Sequence, residues 1–206
     1  MTKPSDELIH AALVEFAERG YEAATVRGIT RRAGVNIGKV SYSFGGKDAL
    51  ADAVIDHLLN RLVVPEIPDL STIVSRAMWR AVLKSYLHGV IEMFNGKSEP
   101  NRFIPPLYRH EATHPSSKKR TLQNVVMKPI FMRLEQIVSV YVHDPFESRL
   151  LTLAAWNLLL DYAFHGHTHL AAYLPDGMTH EVFGAVAVDF IVDRVLGANT
   201  PSIGGL

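Results

Sequence analysis

The chain has no cysteine among its 206 residues. Disulfides and thiol nucleophiles are excluded, and with them the Cys-based zinc modules. It has no net charge, because 21 basic side chains are matched by 21 acidic ones. It is therefore no whole-surface polycation, and any nucleic-acid binding must come from a local patch. It has no long apolar run either. The most apolar segment, Leu150 to Phe164, is interrupted by Asn157 and Asp161, and it is shorter than the roughly 18 apolar residues of a membrane span. The opening residues MTKPSDELIHAAL carry charges where a signal peptide needs an apolar stretch. These absences lead us to expect a cytoplasmic protein with no membrane partner. No segment alternates apolar and polar residues as a half-buried strand does, and no repeat or low-complexity tract is visible. What remains is an ordinary globular composition, 48% hydrophobic and 20% charged, long enough to bury a substantial core.

The apolar pattern is helical throughout, so the expected class is all-α. A first helix is read over Ser5–Arg19, with Leu8, Ala12, Leu13, Phe16 and Ala17 in one stripe and Gly20 able to take positive φ after it. Thr25 is placed to cap a short helix through Ala33, with Val26, Ile29 and Ala33 inward. Gly34 is the turn residue and Val35 a buried plug. Asn36 caps a third helix, Ile37–Ser43, and Phe44 closes the core below it. After Gly45-Gly46 a fourth helix runs from Lys47 to about Leu62. Pro65 and Pro68 mark the joint between two domains, 1–62 and 63–206. Beyond it we read helices at Thr72–Asn95, Arg102–His114, Ser117–Val142 with a kink at Pro129, Phe146–His169 and Met178–Leu196.

Charge is concentrated in one place. Between Thr25 and Lys47 stand Arg27, Arg31, Arg32, Lys39 and Lys47, with no acidic residue among them. The same stretch reads helix, tight turn, helix. A helix-turn-helix with a cationic rim suits a DNA duplex. Gly34 permits the turn. Gly38 lets the third helix approach closely. Lys39, Ser41 and Ser43 are the polar groups of that helix, and Tyr42 and Lys47 can reach phosphates. Asn36 can satisfy orphan amides at the helix start, or leave them for a phosphate.

The order AALVEFAERGYEAATVRGITRRAGVNIGKVSYSFGGKDAL resembles the DNA-binding domain of the TetR family of transcriptional regulators. The likeness covers about residues 5 to 55 and rests on Phe16, Gly20-Tyr21, Thr25, Ala33-Gly34-Val35, Gly38, Tyr42, Phe44 and Lys47-Asp48-Ala49-Leu50. RFIPPLYRHEATHPS through KPIF resembles the subgroup with a CecR-type C-terminal domain. The resemblance implies that Thr25, Tyr42 and Lys47 contact the DNA backbone while Asn36, Ile37, Lys39 and Ser41 face the bases. Arg27 and Arg32 either touch DNA or only shape the field. Three positions depart from the pattern: Ser41-Tyr42-Ser43-Phe44 replaces Tyr-Tyr-His-Phe, Ile37 stands where a polar residue is common, and Thr30 where a small apolar one is usual.

The resemblance further implies a non-enzymatic, ligand-responsive regulator, a repressor that binds a palindromic operator as a homodimer and leaves it when a small-molecule effector binds. Phe146–His169 and Met178–Leu196 are the expected dimer helices. Both are apolar on nearly all sides, and one domain has a single core to offer them. An effector pocket is expected among the middle helices, with Trp79, Tyr86, Phe103, Leu107, Tyr108, Met127, Phe131 and Trp156 as candidate walls, although such residues also make ordinary core. No cofactor is called for.

Two patterns suggest metal. His110-Glu111-Ala112-Thr113-His114 spells the HExxH of zinc hydrolases, in which two imidazoles share a helix face and the Glu is the general base. Against that alternative, Pro115 ends the helix at once and no third-ligand signature follows. His165, His167 and His169 alternate around Gly166 at a helix end, where the helix dipole already favours cationic side chains. We expect no metal site from either.

Overall fold

The computed structural model describes residues 4–95, 99, 101–113, 121–165 and 180–195. Among them every regular element is helical. The chain divides into two compact units, one of residues 1–63 with 94–128 and the other of 64–93 with 129–206.

In the first unit α1 (Pro4–Ala23) carries the expected stripe, and Leu8, Ala12, Leu13, Phe16 and Ala17 are all buried. Gly20 does take positive φ, at 77°, but the chain resumes a helical turn as far as Ala23. α2 (Val26–Ala33) starts at Thr25, whose Oγ1 accepts the Gly28 N–H at 3.0 Å. It stops at Gly34, where φ is 68°. There the Gly34 N–H reaches Arg31 O and the Val35 N–H reaches Thr30 O, a pattern that closes a helix end only if the cap is left-handed. α3 (Gly38–Phe44) is too short to hold itself, and α4 (Lys47–Leu59) lies beside it. Val40 anchors α3 in the core formed by Ile29, Leu50, Val54 and Leu58, and each such fully buried side chain contributes about 1.5–3 kcal/mol. Val35, expected as the plug, is only half-buried: it sits on the turn ahead of α3, and Val40 fills the interior. Thr30 is buried where a small apolar residue is usual. Its hydroxyl donates to Val26 O at 3.0 Å, so no polar group is orphaned.

α6 (Ile104–Thr113), preceded by a 3-10 turn at Asn101–Phe103, packs on α1 within the same unit. His10 meets the Phe103 ring edge-on at 6.2 Å and its Nδ1 stands 3.7 Å from Glu99 Oε2. The segment 94–128 is thus part of the compact unit that holds α1–α4, although its sequence position follows the proline joint.

The second unit is built on α5 (Arg76–Asn95, its residues to Met93), α7 (Lys128–Ser139, from Pro129), α8 (Pro145–His165) and α9 (His180–Phe190). The helix expected to begin at Thr72 begins at Arg76. Asp69 intervenes, accepting from Ser71 N and Oγ and folding Leu70–Thr72 into a 3-10 turn. α4 likewise stops at Leu59 and not Leu62, which leaves an extended joint. Pro65 in that joint is held by the second unit: its carbonyl accepts from Arg133 Nη1 at 3.2 Å. Trp79 donates to Ile137 O at 2.7 Å and Tyr86 to Ile130 O at 2.8 Å, fastening α5 to α7. Lys84 pairs with Asp189 and Arg80 with Asp193, fastening α5 to α9 and its extension. Asp144 caps α8 by accepting the Glu147 N–H at 2.7 Å, with Pro145 in the first turn where no donor is needed.

The expected kink at Pro129 takes a particular form. A π-helical turn, Gln123–Met127, precedes α7, and the proline falls at the second position of the α-helix. The wider turn accommodates a ring that a continuous α-helix would reject. A second π turn, Ile191–Val195, extends α9. Among the described residues no helix is long and apolar enough to cross a membrane.

Candidate nucleic-acid interface

α3 presents its polar side outward. Tyr42 is 86% exposed and Ile37 55%, and Ser41 and Ser43 are exposed beside them. Lys39 is half-buried, its ammonium 5.4 Å from the centre of the Tyr42 ring. A helix that buries one valine and exposes a tyrosine and two serines, with an exposed isoleucine just ahead of it, is positioned by its back and leaves its front for something else.

Asn36 settles one alternative. Its Oδ1 accepts the Gly38 N–H at 2.9 Å and its carbonyl accepts the Lys39 N–H at 2.9 Å. The helix begins at Gly38, one residue later than expected, so Ile37 takes the N-cap position and Asn36 stands before it with its side chain on the Gly38 amide. The Asn36 side-chain NH2 can still donate outward.

The rim is organised around α3. Thr25 and Arg27 are exposed at the start of α2. Lys47 opens α4. Its ammonium lies 4.4 Å over the Tyr21 ring and 3.4 Å from Glu22 O, and the Tyr21 hydroxyl donates to Asp48. Arg32 is committed differently. Its Nη2 bonds Glu18 at 2.5 Å and lies 3.3 Å from Glu15 Oε2. Glu15 is buried and also pairs with Arg19 at 3.3 Å. A buried carboxylate needs such partners, so Arg32 neutralises the domain's interior while Arg27, Lys39 and Lys47 carry the outward field. The sequence showed Arg32 within a basic run and gave no sign that α1 would supply its counter-charges.

The pocket candidates divide between the two units. Trp79, Tyr86, Phe131 and Trp156 belong to the second unit. There Trp79 and Tyr86 are buried with their polar atoms on backbone carbonyls, and Phe131 stands edge-on to Trp156 at 5.8 Å. Burial pushes the Tyr86 hydroxyl well above its ordinary range, as for a core side chain. Phe103, Leu107, Tyr108 and Met127 belong to the first unit, where Phe103 and Met127 are buried. Leu107 lines a cavity of about 240 Å3 bounded by the last turns of α1, by α4, by α6 and by Thr121-Leu122.

His110 and Glu111 of the HExxH sequence border that cavity. Glu111 Oε1 accepts the Leu122 N–H at 2.9 Å and Oε2 the Gln123 N–H at 3.0 Å. Burial raises its carboxyl above the ordinary range, and the two amide bonds work against that rise. The Glu therefore caps the segment leading into α7. His110 lies against Gly20, where a Cβ would come within 3.0 Å of its Nδ1. His114, His167 and His169 lie outside the described residues, as does the side chain of His165. Among the described residues no group of three or more metal-ligating side chains converges.

A capped α2, a left-handed glycine turn and a short, outward-facing α3 packed on α2 and α4 define a helix-turn-helix DNA-binding domain. Residues 8–54 match the family model for bacterial regulatory proteins of the tetR family. The HTH-type transcriptional repressor Rv3405c of Mycobacterium tuberculosis is 45% identical over 76 residues, which cover 35% of this chain and 39% of the relative. The match thus spans about two fifths of the relative's length. The probable HTH-type transcriptional regulator YttP of Bacillus subtilis is 25% identical over 156 residues, 75% of this chain and 71% of that protein. Among solved structures, a HlyIIR mutant protein shares the fold with a TM-score of 0.64 and 18% identity, covering 95% of this chain and 98% of its own.

Proposed function

We propose that this protein is a transcriptional regulator of the repressor type, a cytoplasmic homodimer that binds a palindromic operator and is released by a small-molecule effector. In this reading residues 1–62 touch DNA, and residues 63–206 pair the subunits and respond to the effector. The outward face of α3 carries the proposal. An aromatic side chain as exposed as Tyr42 adds nothing to the core, and its hydroxyl, with Lys39 beside it and Lys47 on the rim, suits a phosphate backbone and a major groove. Lys39, Ser41, Asn36 and Ile37 are the base-reading candidates, the last through a thymine methyl. Thr25, Arg27, Tyr42 and Lys47 are the phosphate candidates.

Pairing is supported by α8 and α9. One side of α8 buries Thr152, Ala155, Leu159 and Tyr162, while Phe146, Leu150 and Leu153 on the opposite side are 72%, 49% and 42% exposed. On α9 Val186 and Phe190 are 49% and 54% exposed. A second copy would cover them. Two α3 helices about 34–36 Å apart would then meet successive major grooves. An effector shifts operator binding only by its difference in affinity for the bound and released states. The names of the relatives support regulation and favour this reading over the zinc-hydrolase alternative.

The test is selection of bound fragments from random genomic DNA by the purified full chain. Enrichment of a two-fold symmetric sequence with half-sites about one helical turn apart is expected. Failure to enrich any sequence in low salt overturns the reading.

A further inference from the structure

The cavity of the first unit is walled mainly by carbon, with Phe16, Val54, Ile55 and Leu107 on its sides. A water molecule needs about 10–15 Å3 of such space, so a volume of about 240 Å3 is many waters large. Apolar walls hold that much water poorly. Its ionisable lining is Arg19, Glu22, His110 and Glu111. Arg19 is already paired with Glu15 at 3.3 Å. Each oxygen of Glu111 accepts one backbone N–H, which leaves acceptor capacity on both, and no cation pairs with it among the described residues. Negative charge thus exceeds positive in a largely apolar space, and the carboxylate within it is desolvated.

We propose that this cavity binds a small lipophilic cation, an alkyl- or arylammonium, with its ammonium on Glu111 and its hydrocarbon against Val54, Ile55 and Leu107. A charge-assisted hydrogen bond in such surroundings is strong, and burial of the hydrocarbon adds to it. The position has a consequence for DNA. Tyr21 is part of the same wall, and its ring carries the Lys47 ammonium on the rim. An occupant that shifts Tyr21 therefore shifts Lys47. The site deepens the regulator reading, since it gives the effector a place and a charge, but occupancy is a separate question from DNA binding.

The test is isothermal titration of the full-length protein, without DNA, with n-octylammonium, n-octanol and n-octanoate. Octylammonium should bind about tenfold or more tightly than octanol, and octanoate should not bind. Glu111→Gln should abolish the preference for ammonium while octanol still binds. Because that change also disturbs the cap at Leu122 and Gln123, Leu107→Trp is the second variant, and by filling the space it should remove binding of both ligands. Equal affinity for ammonium and alcohol, or octylammonium binding unaltered in Leu107→Trp, overturns the proposal. A protein that titrates with octylammonium as expected yet selects no DNA upholds this site and overturns the regulator reading. One that selects a palindrome yet ignores octylammonium does the reverse.

Discussion

The Lys47 ammonium lies 4.4 Å from the centre of the Tyr21 ring, so the last turn of α1 fixes the first charge of α4. The ring faces a cation that is also 3.4 Å from Glu22 O, and the Tyr21 hydroxyl is tied to Asp48. A phosphate contact made by Lys47 is independent of base sequence. Lys47→Ala should weaken binding to all duplexes alike and lower the slope of log affinity against log salt by about one. Tyr21→Leu keeps the charge and removes its support, so it should weaken binding less and leave the slope nearly intact. Fluorescence anisotropy at several salt concentrations separates the two, and an unchanged slope in Lys47→Ala removes Lys47 from the interface.

Lys39 stands on the exposed face of α3 itself. Lys39→Ala should cost about 1–3 kcal/mol on the selected operator and much less on random duplex, so that base preference relaxes at one position of each half-site. Competition with single-base variants of the operator reads this directly. Equal losses on specific and random DNA would make Lys39 a phosphate contact.

Gly28 and Glu15 couple α2 to α1. A Cβ on Gly28 would fall 2.4 Å from Glu15 Oε1 and 3.1 Å from its Cδ. Glu15 is buried and held by Arg19 and Arg32, so it cannot swing aside cheaply. Gly28→Ala should destabilise the fold by about 1–3 kcal/mol in urea denaturation. In a Glu15→Ala background, where the clashing atoms are gone, the same change should cost clearly less. A cost that does not depend on Glu15 would locate the problem elsewhere.

His57 on α4 links stability to pH. Burial lowers its pKa below the ordinary 6.5, and Arg61, whose guanidinium donates to His57 Nδ1 at 2.9 Å, lowers it further. Glu99 and Asp6 pull the other way and His10 adds to the lowering, with smaller effects. The unfolded chain therefore takes up this proton at a higher pH than the folded one. The contribution is fully present above about pH 6.5 and is lost as the pH falls through the lower folded value. The melting temperature should decline on acidification from about 6.5 downward. His57→Gln should flatten that part of the profile. A wild-type curve of the same shape in His57→Gln would assign the titration to another group.

Local signals in the sequence were legible where one residue decides the backbone. Thr25 capped α2, Gly34 turned left-handed at 68°, and the Asn36 side chain accepted the amide of Gly38, the first residue of α3. These outcomes depend on chemistry within a few residues. What could not be read depended on partners far along the chain. Arg32 stood in a basic run, and only the packing of α1 against α2 brings Glu15 and Glu18 to it. Glu111 sat in a metal-like motif, and only the return of the chain at Leu122 shows that it accepts backbone amides. The attachment of α6 to α1 was hidden for the same reason, because a proline-rich joint at 65–68 signals a break in the chain and does not say which unit each later helix joins.

The apolar outer sides of α8 and α9 give the last prediction. Phe146, Leu150 and Leu153 on α8, with Phe190 on α9, hold substantial hydrocarbon in water. Apolar area of this kind is worth about 25 cal/mol per Å2 when covered, so several such side chains on two helices support a stable pair of subunits. Leu150→Glu places a charge on that surface without touching the buried residues Thr152, Ala155 and Leu159 of the same helix. The variant should keep its helical circular dichroism and sediment as a monomer at concentrations where the parent sediments as a dimer. Operator affinity should then fall steeply, because a single α3 reads one half-site, while affinity for an isolated half-site stays near that of the parent subunit. A Leu150→Glu protein that remains dimeric, or a parent that is monomeric throughout, would show that this surface does not join the subunits.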